Sequence, residues 1–378
     1  MKKIRIALTG GGSGGHIYPL IAVAQKIFDA SRRSSLEADI RFFGSPGSYR
    51  TMLEGYGISV SSITESKWRR YFSPLNFFEP FRLIIGLIQS LVKMYFFMPD
   101  VIFSKGGSGS VSIVLAGAFY RVPIIIHESD AVPGLANRLA ARFARRVSLA
   151  FDAATPFFAG RSVSVVGNPV REDLLLNRDD QKLAKRYWGF HPDEPLILIL
   201  GGSQGAEALN DFFIKESPAL LRQFQILHQT GINNFSTAKG ELTFVAADLS
   251  EDLRRRYHLI AYFQKDLKEA LVAADIIISR AGAGGIFEIA AFGKPAILIP
   301  LPRSAGGHQR YNANEFASAG AGIVLEETNL LSNVFSVQLN KILGDKERAA
   351  KMSAASAAFF KPHADQILAN EIIRLALS

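Results

Sequence analysis

Short apolar runs alternate along this chain with longer stretches whose apolar residues recur at helical spacing. That is the pattern of parallel strands joined by crossover helices. Residues 4–9 read as a strand and 10–15 as its glycine loop. A helix is expected to start near Pro19, with Leu20, Ile21, Ala24, Ile27 and Phe28 on one face. Further strands are expected at 40–43, 101–103, 123–127, 147–150 and 162–166. Between Gly167 and Pro195 the pattern breaks into charge with Asn168-Pro169 and His191-Pro192, the texture of a linker. It then restarts with a strand at 196–200, a glycine loop at 201–205 and a helix, followed by strands at 276–279 and 296–300. The expected class is α/β, two Rossmann-like domains with parallel sheets facing across a cleft. The boundaries are 1–167 for the first domain, 168–194 for the linker and 195–354 for the second. The tail reads as helical, with a break at Lys361-Pro362.

One segment departs from this alternation. Lys67-Trp68-Arg69-Arg70-Tyr71-Phe72 leads into Phe77-Phe78 and then into an apolar helical run ending at Met98. A membrane span needs roughly 20 predominantly apolar residues, and Arg82, Gln89 and Lys93 interrupt this one. Two readings stand: a buried helix of the first domain, or an apolar patch with a basic rim that meets an anionic membrane face. Residues 68–78 are the expected contact, with the following helix partly core.

Composition narrows the picture. The chain has 378 residues, 48% of them hydrophobic, enough for two cores. It has no cysteine, which removes disulfides and thiolate metal sites and fits a reducing compartment. The basic start Met1-Lys2-Lys3-Ile4-Arg5 runs straight into a strand and a glycine loop, so a cytoplasmic start is expected rather than a signal peptide. The net charge of +9 favours polyanions: nucleic acid, nucleotide phosphates or an anionic membrane. No recognition helix or RNA-binding motif accompanies it, and nucleic acid is not an expected partner.

The candidate chemistry lies in four glycine loops at strand ends. Glycines let backbone N–H groups approach a diphosphate, and the helix that follows adds its positive end. The first is Gly10-Gly11-Gly12-Ser13-Gly14-Gly15-His16 and the second Lys105-Gly106-Gly107-Ser108-Gly109-Ser110. The third is Gly201-Gly202-Ser203-Gln204-Gly205-Ala206, and the fourth runs from Ser279 through Gly282, Gly284 and Gly285 to Glu288. Lys105 and Arg280 either add charge there or are solvated. Gly10, Gly12 and Gly15 satisfy the dinucleotide spacing, but the second strand ends Phe42-Phe43-Gly44-Ser45-Pro46, without the ribose-binding carboxylate of a nicotinamide site. Glu288 either accepts ribose hydroxyls or complements its helix dipole. His308-Gln309 follows another glycine-containing loop and reads equally as ligand contact or loop surface.

In this order the motifs resemble the MurG family, the lipid-intermediate N-acetylglucosaminyltransferases of peptidoglycan synthesis. The resemblance rests on Gly-Gly-Ser-Gly-Gly-His at 11–16, His127-Glu128-Ser129-Asp130 with Pro133-Gly134-Leu135-Ala136-Asn137, and Gly167-Asn168-Pro169-Val170-Arg171. The second half adds Gly-Gly-Ser-Gln-Gly-Ala at 201–206, the run 279–288, and His308-Gln309 before Asn312-Ala313. It implies a GT-B fold with the acceptor in the N-terminal domain, the nucleotide sugar mainly in the C-terminal one, and a last helix, about 355–378, that packs back on the first domain. It implies donor contacts from Arg171, Ser203, Glu288, His308 and Gln309, backbone from Ala283, Gly284, Gly285, Ile286 and Phe287 around the diphosphate, and Gln264 near the uracil. His16 is the implied base, with Glu128 orienting the site or acting as base, Ser13, Gly14 and Gly15 lining the acceptor diphosphate and the sugar, and Asp130 at a position that contacts the sugar. The implied partners are UDP-N-acetylglucosamine, an undecaprenyl-diphosphate-linked muramoyl-pentapeptide, and the anionic cytoplasmic face of the cell membrane. No cofactor is implied, and no Asp-x-Asp metal motif lies in a suitable loop.

The sequence departs from the family at three places. Ser13 replaces the usual threonine, Ser129-Asp130 replaces the Gln-Asn of some members, and Ser108-Gly109 stands where an aromatic is common. Alternatives are another GT-B transferase with a lipid acceptor, of the diacylglycerol glucosyltransferase type, and a NAD-dependent oxidoreductase.

Overall fold

The computed structural model describes residues 2–66, 74–176, 180–202, 205–263 and 265–378. The chain divides into two compact units, 1–171 with 361–378, and 172–360. Segment 172–194 therefore belongs to the second unit, where the helix Gln181–Tyr187 starts from an Asp180 cap. Residues 67–73, the core of the expected membrane contact, lie outside the described residues.

The first unit is built on a seven-stranded parallel sheet of β1 (Lys2–Thr9), β2 (Leu36–Gly44), β3 (Ser59–Ser62), β4 (Val101–Ser104), β5 (Ile124–Glu128), β6 (Arg146–Leu149) and β7 (Val163–Val165). Its order is β3-β2-β1-β4-β5-β6-β7. The second unit has six parallel strands: β8 (Leu196–Leu200), β9 (Gln225–Gln229), β10 (Tyr257–Ile260), β11 (Ile276–Ser279), β12 (Ala296–Leu298) and β13 (Gly322–Val324). Their order is β10-β9-β8-β11-β12-β13. In each sheet the progression reverses once, between β1 and β4 and between β8 and β11. Crevices open at such reversals because the adjoining helices leave to opposite faces. Thr9 pairs with Ser104, and Leu200 with Ser279, so the loops on either side of each reversal leave the sheet level with one another.

Strands β4, β5, β8, β9 and β11 are buried along their whole length, as expected of parallel strands covered on both faces. Four elements escaped the sequence reading. β3 and β10 are edge strands, β13 is three residues long, and β9 hides its apolar core between Gln225, His228 and Gln229. The first helix, Gly14–Arg33, also starts five residues before the expected Pro19, which lies inside it. Gly14 and Gly15 thus form its first turn and expose its unpaired N–H groups.

The helix Glu79–Phe97 is half core and half surface. Gly86, Ser90, Met94 and Phe97 form its buried face, and a Cβ at Gly86 would sit 2.4 Å from the carbonyl oxygen of Thr64. Gln89 accepts from the Thr64 N–H at 2.8 Å, and Lys93 donates to the carbonyl of Ser62 at 2.6 Å, so two of the interrupting polar residues anchor the helix beside β3. Phe81, Ile84, Ile85, Ile88, Val92, Tyr95 and Phe96 are exposed. By length and composition alone Asn76–Phe97 is apolar enough to cross a membrane, with 22% of it buried. The helix is thus partly core, as expected, with Met94 and Phe97 in a buried cluster and Leu87 and Leu91 packed against it, while its outer face is apolar and exposed.

After Lys346–Phe359 the chain breaks at 360–363 and ends in the helix Ala364–Leu377, which packs on Gly14–Arg33 in the first unit. Leu368, Ala369, Ile372 and Leu375 join Ile4, Leu20 and Val101 in one buried cluster. Leu368→Ala should therefore destabilise the first unit by about 2–5 kcal/mol, read from its urea midpoint. A change below about 0.5 kcal/mol would mean that the tail contributes nothing to that core.

Candidate active site

In the first unit the site is built where β1, β4 and β5 end. Ser13 is the N-cap residue of Gly14–Arg33, and its Oγ lies 2.8 Å from Nδ1 of His16 one turn later. With Nδ1–H donating to Ser13, Nε2 carries the lone pair, the arrangement a general base requires. A Cβ on Gly11 would stand 3.1 Å from the His16 ring, and one on Gly107 would stand 2.9 Å from the N of Gly11. Only glycine permits these two loops to lie this close around the imidazole. Gly15 is open, with nothing within 4 Å of the place its Cβ would take. Arg171 lies in this same unit, its guanidinium 4.9 Å from the Tyr18 ring centroid.

Glu128, at the end of β5, is 4% exposed. One carboxylate oxygen accepts from the Asp130 N–H at 2.9 Å. The other accepts from the Gly134 N–H at 3.2 Å and from Nδ2 of Asn137 at 2.9 Å. Burial, with Asp130 beside it, pushes its pKa up to about 7, and the three donors oppose that rise. This geometry suits a group that shapes the 129–137 loop better than one that meets substrate. Asp130 is half-exposed at the head of that loop.

The sequence left Lys105 open between added charge and solvation, and the structure removes solvation: the side chain is 1% exposed. Its Nζ lies 2.6 Å from Nδ1 of His127, 2.5 Å from Oγ of Ser129 and 3.1 Å from Oδ1 of Asn168. Burial pushes its pKa down to about 7 against the pull of Glu128 and Asp130. His127 donates Nε2–H to the Gly167 carbonyl at 2.8 Å, and burial and Lys105 hold its pKa well below the usual imidazole range.

In the second unit, Gly282 is the N-cap residue of the helix Ala283–Ala291 that follows β11. The side chains of Ala283, Ile286 and Phe287 are buried, Phe287 against Phe359 with ring centroids 5.6 Å apart. These residues can offer a ligand only their backbone. Gly284 is open, with nothing within 4 Å of its would-be Cβ, and Glu288 is half-exposed further along the helix. Asn312 reaches from the helix His308–Ser318 to the Ala281 carbonyl at 3.2 Å and so ties the fourth glycine loop to His308 and Gln309. His308 donates Nδ1–H to the Ala305 carbonyl at 2.8 Å, and Gln309 accepts from the Leu301 N–H at 2.9 Å, which leaves its amide N–H groups for a ligand. Arg280, the other side chain left open, pairs with Glu327 and donates to the Ile299 carbonyl at 3.2 Å. Ser203 and Gln264 lie outside the described residues.

The third glycine loop rests on a buried polar chain that the sequence did not reveal. Tyr257 donates to Nδ1 of His228 at 2.8 Å, Nε2–H of His228 donates to Oδ1 of Asn210 at 3.1 Å, and Asn210 donates to the Thr230 carbonyl at 3.1 Å. Next in the strand, Gln229 donates to the Gly202 carbonyl at 3.1 Å.

The comparisons give this geometry a family. The chain matches the "Glycosyltransferase family 28 N-terminal domain" over residues 6–149 and the "Glycosyltransferase family 28 C-terminal domain" over 196–367. A Bacillus cereus relative, "UDP-N-acetylglucosamine--N-acetylmuramyl-(pentapeptide) pyrophosphoryl-undecaprenol N-acetylglucosamine transferase 2", is 38% identical over 332 residues, 87% of this chain and 88% of that protein. The Clostridium tetani protein of that name, without the final numeral, is 32% identical and covers 97% of both chains. The chain belongs to the MurG family. Acinetobacter baumannii MurG superposes with a TM-score of 0.73 at 24% identity, covering 98% of this chain and 99% of that one. A UDP-GlcNAc 2-epimerase from Neisseria meningitidis, crystallised with UDP-GlcNAc, follows at a TM-score of 0.68 and 13% identity, with 98% and 100% covered, a likeness of fold alone. The fold is GT-B, and membership of a glycosyltransferase family speaks against the nicotinamide-dependent alternative.

His228 makes the second unit acid-sensitive. Burial lowers its pKa from 6.5 to about 3 in the folded protein. The unfolded chain therefore takes up the proton first, so this stability is complete above pH 6.5 and drains as pH falls toward 3. The slope reaches about 1.4 kcal/mol per pH unit. Urea midpoints of the second-unit transition at pH 7 and pH 5 should draw closer together in His228→Gln than in the wild type; an unchanged gap would contradict the buried neutral imidazole.

Proposed function

We propose that this chain transfers N-acetylglucosamine from UDP-N-acetylglucosamine to the lipid-linked muramoyl-pentapeptide, as its curated relatives are named for doing. The observation that carries the reading is their 32–38% identity across most of the chain, with the Ser13–His16 pair at an open glycine loop as its chemical counterpart. The donor sugar is α-linked to UDP and the family's product is β-linked, so one inverting displacement suffices. Nε2 of His16 takes the proton of the acceptor hydroxyl as it attacks the anomeric carbon and UDP departs. The unpaired N–H groups of Ala283, Gly284 and Gly285 spread the charge of the leaving diphosphate. Arg171 adds a cation suited to a diphosphate. Glu288, Gln309, His308, Ser203 and Gln264 complete the donor contacts, and Ser13, Gly14, Gly15 and Asp130 those of the acceptor. Glu128 acts by holding the 129–137 loop. The product feeds peptidoglycan synthesis.

The same reading places the protein peripherally on the cytoplasmic face of the cell membrane. It is supported by the exposed apolar row from Phe77 to Phe96 and by Phe119, 71% exposed, on the neighbouring helix Val111–Phe119. Beside that helix's end a recess of about 330 Å³ is lined by Arg121, Arg142, Phe143 and Arg145. Its guanidinium groups make no ion pair among the described residues, which suits the phosphates of an anionic bilayer.

Transfer of labelled sugar from UDP-N-acetylglucosamine to the lipid acceptor, run in chelator, tests the activity. His16→Gln should lower kcat by about 10²–10⁴-fold with the donor KM little changed. A variant as fast as the wild type would remove His16 as base. Replacing Phe81, Ile88 and Tyr95 together by glutamate should abolish co-sedimentation with phosphatidylglycerol vesicles. Retained binding would contradict the membrane reading.

A further inference from the structure

An ammonium carries three protons, and Nζ of Lys105 meets three acceptors: His127, Ser129 and Asn168. The acceptors are fixed in that role. His127 gives its other ring N–H to Gly167, so Nδ1 must accept, and Ser129 gives its hydroxyl proton to Asn168 at 3.2 Å. Asn168 and His127 are as deeply buried as the lysine, at 1% and 0% exposure. The three acceptors come from different places: the end of β5, the loop beyond it, and the chain leaving β7. Lys105 itself follows β4 directly, and its N–H donates to the Thr9 carbonyl of β1 at 2.9 Å. Just beyond it, Gly107 lies against Gly11 and the His16 ring. One residue beyond Ser129 is Asp130.

An apolar side chain of similar length would fill this volume but leave Nδ1 of the buried His127 without a donor and Asn168 with Ser129 alone. Burying a cation is seldom the cheapest way to stabilise a core. Its placement at the meeting point of four strand ends argues for a job in the site. We propose that Lys105 is a positioning residue for the transfer: its ammonium draws the ends of β4, β5 and β7 onto one point and so sets where His16 and Asp130 stand against the acceptor. The inference rests on the transferase reading above. It separates two steps, since it bears on the chemistry organised by the first unit and leaves nucleotide binding by the glycine loops of the second unit untouched.

The test uses the full chain, with labelled UDP-N-acetylglucosamine and the lipid acceptor. Lys105→Met removes the ammonium and keeps the length. Lys105→Cys introduces the only thiol in a chain with no cysteine, and aminoethylation in urea followed by refolding restores an ammonium at lysine length. Wild type carried through the same treatment is the control. Lys105→Met should lower kcat at least about tenfold, with both KM values within about threefold and UDP-N-acetylglucosamine affinity unchanged by calorimetry. Aminoethylated Lys105→Cys should regain most of the lost kcat, and the same variant capped with iodoacetamide should not. Wild-type kcat in Lys105→Met would overturn the proposal. So would a lost kcat that aminoethylation leaves unrestored while circular dichroism shows a refolded chain, since that is the signature of a packing role. A wild type that transfers no sugar at all would fail earlier and differently, by removing the transferase reading itself.

Discussion

Backbone N–H groups at the start of a helix have no partner within the helix, and in this protein they are brought together at the two places where sheet order reverses. Thr9 level with Ser104, and Leu200 level with Ser279, put two glycine loops side by side in each unit. The parallel strands behind them are buried along their length, so the loops cannot retreat into the sheet. The donors are left for an anionic ligand to satisfy. Side-chain chemistry is then added sparingly: Ser13 and His16 on one loop, Glu288 and the Asn312-tethered His308–Gln309 pair near another.

Behind each pair of loops lies a buried polar device, and the two differ in kind. In the second unit it is neutral: Tyr257, His228 and Asn210 pass hydrogen bonds up to Thr230. In the first it is ionisable, with burial bringing both Lys105 and Glu128 to about 7 and each meeting three hydrogen-bonding groups. Fully partnered polar networks of either kind rigidify what they join, and one that can carry charge has the larger desolvation cost.

The strands that form the reversals were legible in the sequence because parallel strands buried on both faces are near-continuous apolar runs, as 196–200 and 276–279 show. The missed strands lacked that signal. β3 is an edge strand with three serines, and β9 carries Gln225, His228 and Gln229 at buried positions that only their partners explain. Glycine loops were visible as glycines, and their company was not. Nothing local to Lys105 distinguishes a solvated lysine from one seated on His127, Ser129 and Asn168, residues 22 to 63 positions away. The helix Glu79–Phe97 is apolar on both sides: Met94 and Phe97 enter the core beside Gly86 and Ser90, and the row from Phe81 to Phe96 faces outward. Spacing alone did not show which side is covered.

The central claim is that the open glycines serve a ligand and not the fold. Gly284 separates the two, because its Cβ would meet nothing within 4 Å in the protein and it lies inside a helix, where alanine is preferred by about 0.5–1 kcal/mol. The measurement is a calorimetric titration of Gly284→Ala with UDP-N-acetylglucosamine, beside its thermal midpoint. The account predicts a midpoint equal to or above that of the wild type and an affinity at least about tenfold weaker. Wild-type affinity in a folded Gly284→Ala would contradict it, since the diphosphate would then lie away from the backbone that these loops leave bare.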